Sequence, residues 1–149
     1  MHMTSTTRII TFTLALWAGL AVLAQAKLEA GPNGGKLIGT DPDRAELVIR
    51  DDGKVAVSFL AEAGTSGDIG ERLVTLFAQL ETGRTEITLV REGETLVSAE
   101  PLPQPEGYTL VVQSRSKADA KPVNARVQYI SHICGGCSLK EYACTCEDH

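Results

Sequence analysis

The chain has 149 residues, of which 43% are hydrophobic and 22% are charged, and this composition is typical of one soluble globular domain. Its formal net charge is -5, and no basic stripe offsets that charge locally. Proteins that bind nucleic acid by neutralising phosphates need a basic surface, so we do not expect nucleic acid as a partner.

The N-terminal segment has the features of an export signal. Arg8 precedes the almost wholly apolar run 9–24, and Ala24-Gln25-Ala26 provides the small residues that signal peptidase accepts. We therefore predict a signal peptide at residues 1–26, cleaved before Lys27, and a periplasmic or secreted mature protein without a stable membrane span. The alternative is an uncleaved membrane anchor. The apolar run is short for this role, because a membrane-spanning helix needs roughly 18–20 apolar residues.

Removing this leader changes the chemistry available for metal binding. Arg8 is the one lysine or arginine in the leader, so 13 basic and 19 acidic side chains remain and the mature net charge is -6. Met1, Met3 and Trp17, which are all the methionines and the tryptophan of the chain, also lie in the leader. A soft metal ion bound to the mature domain must therefore use cysteine or histidine, because no thioether sulfur remains.

Apolar residues recur mainly at every second position between Arg44 and His132, which is the period of β-strands. The clearest case is the pair of alternating runs 45–49 and 55–59, which are separated by the turn sequence Asp51-Asp52-Gly53. These two runs predict a β-hairpin.

Further alternating runs predict the rest of a β-rich body. They lie at residues 73–80, 87–89, 96–99, 108–112 and 123–129, with turn signals at Thr82-Gly83 and Glu92-Gly93 and a proline-rich crossover at 101–105. No amphipathic helix intervenes, and the valine, threonine and phenylalanine content of residues 68–79 argues against a helix there. We predict an all-β fold, an immunoglobulin-like antiparallel β-sandwich of seven or eight strands at residues 27–132, followed by a cysteine-rich C-terminal element at 133–149.

The start of the mature chain resembles an opening found in exported bacterial β domains. Residues 31–37 read Gly-Pro-Asn-Gly-Gly-Lys-Leu, and residues 44–49 read Arg-Ala-Glu-Leu-Val-Ile. Some domains with this opening are attached to adaptor subunits of heavy-metal efflux pumps, so the resemblance over residues 31–60 implies an exported β domain. Histidines commonly stand in those domains where this chain has Asn33 and Arg44. The paired glycines Gly34 and Gly35 can also serve the backbone, by taking positive φ at the entrance to the first strand.

The four cysteines fall within thirteen residues at the end of the chain, at Cys134, Cys137, Cys144 and Cys146. None lies in the body strands, where a bridge between sheets would need one. Thiolates at such spacing can hold one tetrahedral ion, and both zinc and monovalent copper suit sulfur ligands. The absence of methionine from the mature chain counts modestly against a copper shuttle. His132 and His149 flank the cluster, and either can replace one cysteine as a ligand.

Two other states of the same cysteines stay open. An exported chain enters an oxidising compartment, so the cysteines can form two disulfides in a structural or protein-interaction module, whose partner would be another envelope protein. Bridges between the two cysteine pairs are easier than bridges within both, because joining Cys144 to Cys146 closes a strained ring. Alternatively, Cys134 and Cys137 can exchange disulfides, if a helix N-terminus or a cation stabilises a thiolate.

The common hydrolytic chemistries are not indicated. The mature chain has two histidines, His132 and His149, both beside the cysteines, and no serine lies in a nucleophile elbow. Our leading hypothesis is therefore an exported, non-enzymatic domain that binds zinc or copper through the C-terminal cysteines.

Overall fold

The computed structural model describes residues 29–61 and 64–146. Within them, antiparallel strands form two sheets that pack face to face around a shared core. The strands are β1 (Lys36–Ile38), β2 (Ala45–Ile49), β3 (Val55–Phe59), β4 (Leu73–Leu80), β5 (Gly83–Ile87), β6 (Leu89–Glu92), β7 (Thr95–Ser98), β8 (Thr109–Arg115) and β9 (Val123–Gln128). The first sheet has the order β1-β2-β3-β7-β6, and the second has the order β5-β4-β8-β9. This confirms the predicted all-β antiparallel sandwich with a cysteine-rich C-terminal region.

The nine strands in the described residues exceed the expected seven or eight because one extended run serves both sheets. Ile87 pairs with Leu76 in the second sheet, whereas Leu89 pairs with Ser98 in the first. Thr88 alone separates these two pairings. The chain therefore passes from one sheet to the other without a turn that the sequence would reveal.

The predicted hairpin of β2 and β3 is confirmed. The strands pair in register from Ala45 with Phe59 to Ile49 with Val55. Gly53 closes the turn with φ 78°, a left-handed conformation that glycine adopts without steric cost. The hairpin therefore supplies the central strands of the first sheet.

The core lies between the sheets and continues into the C-terminal residues. Leu47, Val57, Leu76 and Leu110 come from both sheets and have no exposed surface. Burial of such side chains is the main driving force for folding. The same core contains Tyr142 and Ala143, so the cysteine-rich region shares the hydrophobic core of the sandwich.

A loop at residues 31–35 covers the outer face of β2. Glu46 points away from the core residue Leu47, yet only 1% of Glu46 is exposed. Asn33 donates to the Glu46 carboxylate from its backbone amide at 2.9 Å and from its side-chain amide at 2.8 Å, and the Gly35 amide donates at 2.8 Å. The loop thus satisfies a buried carboxylate that strand alternation places on a solvent face.

The glycines of this loop have two different structural roles. Gly34 has φ 73°, as predicted for the entrance to the first strand. Gly35 does not have positive φ, so that expectation was wrong for it. Instead, a Cβ on Gly35 would collide with the carbonyl oxygen of Leu47, and a Cβ on Gly31 would collide with the Glu46 carboxylate. Gly31 and Gly35 are therefore required for close approach of the loop to β2.

Two predictions fall outside the described residues, namely the signal peptide at 1–26 with its cleavage site and the flanking His149. In the part of the chain that the structure describes, no helix has the length and apolar character that crossing a membrane requires.

Candidate metal centre

The first two cysteines lie on a tight turn at the start of the cysteine tail, which we define as residues 133–146. The Cys134 amide donates to the Leu139 carbonyl at 2.8 Å, and the Ser138 amide donates to the Cys134 carbonyl at 3.1 Å. Ser138 has φ 60°, in the left-handed region that reverses the chain direction. These bonds bring Cys137 back beside Cys134.

A short 3₁₀ turn, Glu141–Ala143, brings the second pair of cysteines to the first. The Cys144 amide donates to the Glu141 carbonyl at 3.1 Å and so ends the turn. Cys144 Sγ then lies 3.3 Å from Cys134 Sγ. The two pairs therefore meet at one point although they are separated along the chain.

Two side chains of the cysteine tail bind the part of the β2 edge that has no neighbouring strand. Ile49 lies beyond Leu47, where the pairing of β2 with β1 stops. The Ile49 amide donates to Tyr142 Oη at 2.9 Å, and the Ile49 carbonyl accepts from Lys140 Nζ at 3.0 Å. Backbone groups at a sheet edge need such partners when water is excluded. The tail thus completes the edge that β1 leaves uncovered.

We expect Tyr142→Phe to lower the free energy of unfolding by about 1–2 kcal/mol, because the buried Ile49 amide loses its acceptor while the ring stays packed. Chemical denaturation followed by circular dichroism measures this loss. Hydrogen exchange at Ile49 should also accelerate, with the amides of the β2–β3 ladder as an internal control. An Ile49 amide as protected as before would contradict the role given to Tyr142.

The four Sγ atoms form one compact group. All lie within 4.8 Å of one another, with Sγ–Sγ distances of 3.3 Å between Cys134 and Cys144, 3.5 Å between Cys137 and Cys144, and 3.7 Å between Cys134 and Cys146. A zinc ion bound at about 2.3 Å to four sulfurs requires tetrahedron edges of about 3.8 Å, close to these values. Cys134 and Cys144 are buried, and Cys137 and Cys146 are partly exposed.

The contacts are shared among the sulfurs rather than divided into two bonded pairs. Cys144 contacts both Cys134 and Cys137, and Cys134 also contacts Cys146. No disulfide joins these four residues, all of which belong to the described part of the chain. The cluster can therefore hold a metal ion, as the cysteine spacing predicts.

Backbone amides and neighbouring thiols set the ionisation of the metal-free cluster. The amides of Thr145 and Leu139 donate to Cys137 and lower the pKa of its thiol. The Cys146 amide favours the thiolate of Cys144, but burial and the adjacent thiols outweigh it and raise the pKa of Cys144. Contacts with Cys144 and the other thiols raise the pKa of Cys146 to about 12. A bound cation must therefore displace protons from Cys144 and Cys146, and its binding is accompanied by proton release.

Gly136 makes room for the sulfur cluster. A Cβ at this position would lie 2.7 Å from Cys146 Sγ and 3.8 Å from Cys134 Sγ, whereas a Cβ on Gly135 would meet nothing within 4 Å. The adjacent glycines of one motif thus differ in their steric surroundings.

This difference provides a matched pair of variants. We expect Gly136→Ala to weaken zinc binding about tenfold, or about 1.4 kcal/mol, because the new methyl group displaces a sulfur ligand. Gly135→Ala removes the same backbone freedom without that clash and should leave affinity unchanged. Competition against a chromophoric zinc chelator measures both, and equal affinities would contradict the steric argument.

The flanking histidines differ from the cysteines in what the structure describes. His132 Nε2 lies 3.8 Å from Glu141 Oε2, and 67% of the His132 side chain is exposed. It is not a member of the four-sulfur group. His149 lies outside the described residues, so a ligand role for it stays a prediction.

Lys140 and Tyr142, which anchor the site, were not predicted from the sequence. Tyr142 was a recognisable signal, because an aromatic residue within a polar tail usually finds a buried contact. The four cysteines, in contrast, are brought together as their spacing predicts. Comparisons with protein-family models, curated proteins and solved structures found no match to this chain.

Proposed function

We propose that this protein is an exported, non-enzymatic β-sandwich domain that binds one thiophilic metal ion through Cys134, Cys137, Cys144 and Cys146. The convergence of the four Sγ atoms within 4.8 Å is the observation that carries this proposal. Sites in which protein ligands fill all tetrahedral positions are typical of structural metals, whereas catalytic zinc keeps one position open. This comparison favours binding without catalysis.

Zinc is the ion that the donor set favours. A tetrahedral group of four sulfurs is typical of zinc or iron–sulfur sites, and monovalent copper is a softer alternative with the same ligands. The sulfur contacts of 3.3–3.7 Å allow all four thiolates to bind one ion at ordinary zinc–sulfur distances. The mature chain also lacks the methionine sulfur that would favour copper.

The bound ion would fix the cysteine tail to the sandwich. Cys134 and Cys137 precede the anchors Lys140 and Tyr142, and the other two cysteines follow them. One ion that holds both cysteine pairs therefore closes a loop around the residues that cover Ile49. Since an ion that binds only the folded state stabilises that state, zinc should raise the stability of the β2 edge.

Export is supported by the signal peptide predicted at residues 1–26 and by the resemblance of residues 31–60 to exported bacterial β domains. A second envelope protein is a further candidate partner. N-terminal sequencing of the protein isolated from its producing cells tests export, and we expect Lys27 as the first residue. A chain that begins at Met1 would contradict cleavage.

Native mass spectrometry of the reduced protein tests the metal site. We expect about one zinc ion per chain, with all four cysteines free of disulfide bonds. A reduced, folded chain that stays metal-free with both ions would overturn the proposal. A copper adduct without a zinc adduct would overturn the preference for zinc.

A further inference from the structure

The cysteine cluster places each partly exposed sulfur beside a buried one. Cys137 and Cys146 are partly exposed, whereas Cys134 and Cys144 are buried. Cys137 Sγ lies 3.5 Å from Cys144 Sγ, and Cys146 Sγ lies 3.7 Å from Cys134 Sγ. Each exposed sulfur thus has a separate buried sulfur at contact distance.

We infer that small-molecule disulfides oxidise the metal-free cluster in a single pairing, Cys137 with Cys144 and Cys134 with Cys146. The exposed thiols are the ones that a soluble disulfide can reach, because thiol–disulfide exchange needs access to the attacking sulfur. The competing pairing would join the buried thiols of Cys134 and Cys144, which lie 3.3 Å apart. It is disfavoured because neither of these thiols is open to attack on a soluble disulfide. The third pairing requires the strained bridge between Cys144 and Cys146.

The exchange proceeds in two balanced steps at each pair. The Cys137 sulfur attacks a disulfide RSSR, forms a mixed disulfide and releases one RSH. Cys144 then attacks the Cys137 sulfur, so that the protein disulfide forms, the bond to R breaks and a second RSH leaves. The bridge between Cys146 and Cys134 forms by the same two steps, but more slowly, because the raised pKa of Cys146 leaves less thiolate for the attack. In total, four thiols lose four electrons and two RSSR molecules become four RSH.

Oxidation would also release a bound ion. Disulfide sulfurs no longer provide thiolate ligands, so a zinc ion loses its donor set as the bridges form. This consequence rests on the proposed function, whereas the pairing rests only on the positions of the sulfurs. The two can therefore fail separately.

Single-cysteine variants identify the pairing. Metal-free Cys134→Ser treated with oxidised glutathione should form the bridge between Cys137 and Cys144 and leave Cys146 open to iodoacetamide. Cleavage after Lys140 places Cys144 and Cys146 in one peptide, whose fragmentation shows which of them is alkylated. Alkylation at Cys144, or a covalent dimer, would overturn the pairing.

A second variant, Cys137→Ser, tests the same pairing if Cys134→Ser does not fold. Cys137→Ser should form the bridge between Cys134 and Cys146 and leave Cys144 alkylated, and alkylation at Cys146 would overturn the inference. The zinc-loaded wild-type protein should lose its zinc to a chromophoric chelator as its four thiols disappear. Zinc retained after complete thiol loss would contradict the release step without affecting the pairing, while failure to load zinc would contradict the proposed function alone.

Discussion

Cys144→Ser should lower zinc affinity about a hundredfold or more. Cys144 Sγ contacts both Cys134 and Cys137 and is buried, so its loss removes a central ligand of the cluster. Structural zinc sites bind with about 10–16 kcal/mol, and one of four ligands therefore accounts for about 3 kcal/mol, which corresponds to about a hundredfold. Chelator competition with the reduced protein near neutral pH measures the change.

Thr145→Ala is the matched control for this variant. It lies between Cys144 and Cys146 and keeps both the four sulfurs and the backbone amide that donates to Cys137. We expect its zinc affinity to equal that of the wild type. If Cys144→Ser bound zinc as tightly as this control, Cys144 would not be a ligand.

The second large effect is expected at Glu46, on the outer face of β2. Glu46→Leu should lower the free energy of unfolding by about 3 kcal/mol, because two backbone amides and one side-chain amide of the 31–35 loop lose their acceptor. Each orphaned donor costs about 1–3 kcal/mol, and removing a buried charge recovers part of that cost. Denaturant titration followed by circular dichroism measures the loss.

Glu86→Leu provides the control for Glu46→Leu. Glu86 lies in β5, where its side chain is exposed, and such surface substitutions usually change stability by less than about 0.5 kcal/mol. The two variants therefore compare the loss of stability on replacing a buried, hydrogen-bonded carboxylate with the loss on replacing a solvated one. Equal losses in the two variants would show that the loop does not depend on Glu46.

Strand alternation was sufficient to predict the sandwich, because most strands bury one face and a period of two reports that burial. It failed at Thr88, where the alternation continues while hydrogen-bond partners change from β4 to β7. Periodicity describes the faces of a strand but not its neighbours. The switch between sheets therefore had no local signal.

Glu46 shows a second limit of the same pattern. Its position in β2 predicts a side chain that faces solvent, and the side chain does point away from the core. The cover comes from the 31–35 loop, whose glycines looked like turn residues. A contact between a loop and a strand more than ten residues later cannot be derived from alternation alone.

The candidate metal centre, too, was only partly predictable from the sequence. The cysteines were found because thiol chemistry depends on residue type and spacing, both of which the sequence shows directly. Tyr142 and Lys140 were missed because their partner is Ile49, which lies 93 and 91 residues away along the chain. Ligand chemistry was thus predictable, whereas attachment of the site to the fold required the tertiary structure.

X-ray absorption spectroscopy of the zinc-loaded protein shows whether four cysteines bind the ion, because it counts the atoms bound to the metal and identifies their element. We expect four sulfur atoms at about 2.3 Å and no nitrogen ligand. A shell that contains histidine nitrogen or water oxygen in place of one or more sulfurs would contradict a closed site made of the four cysteines.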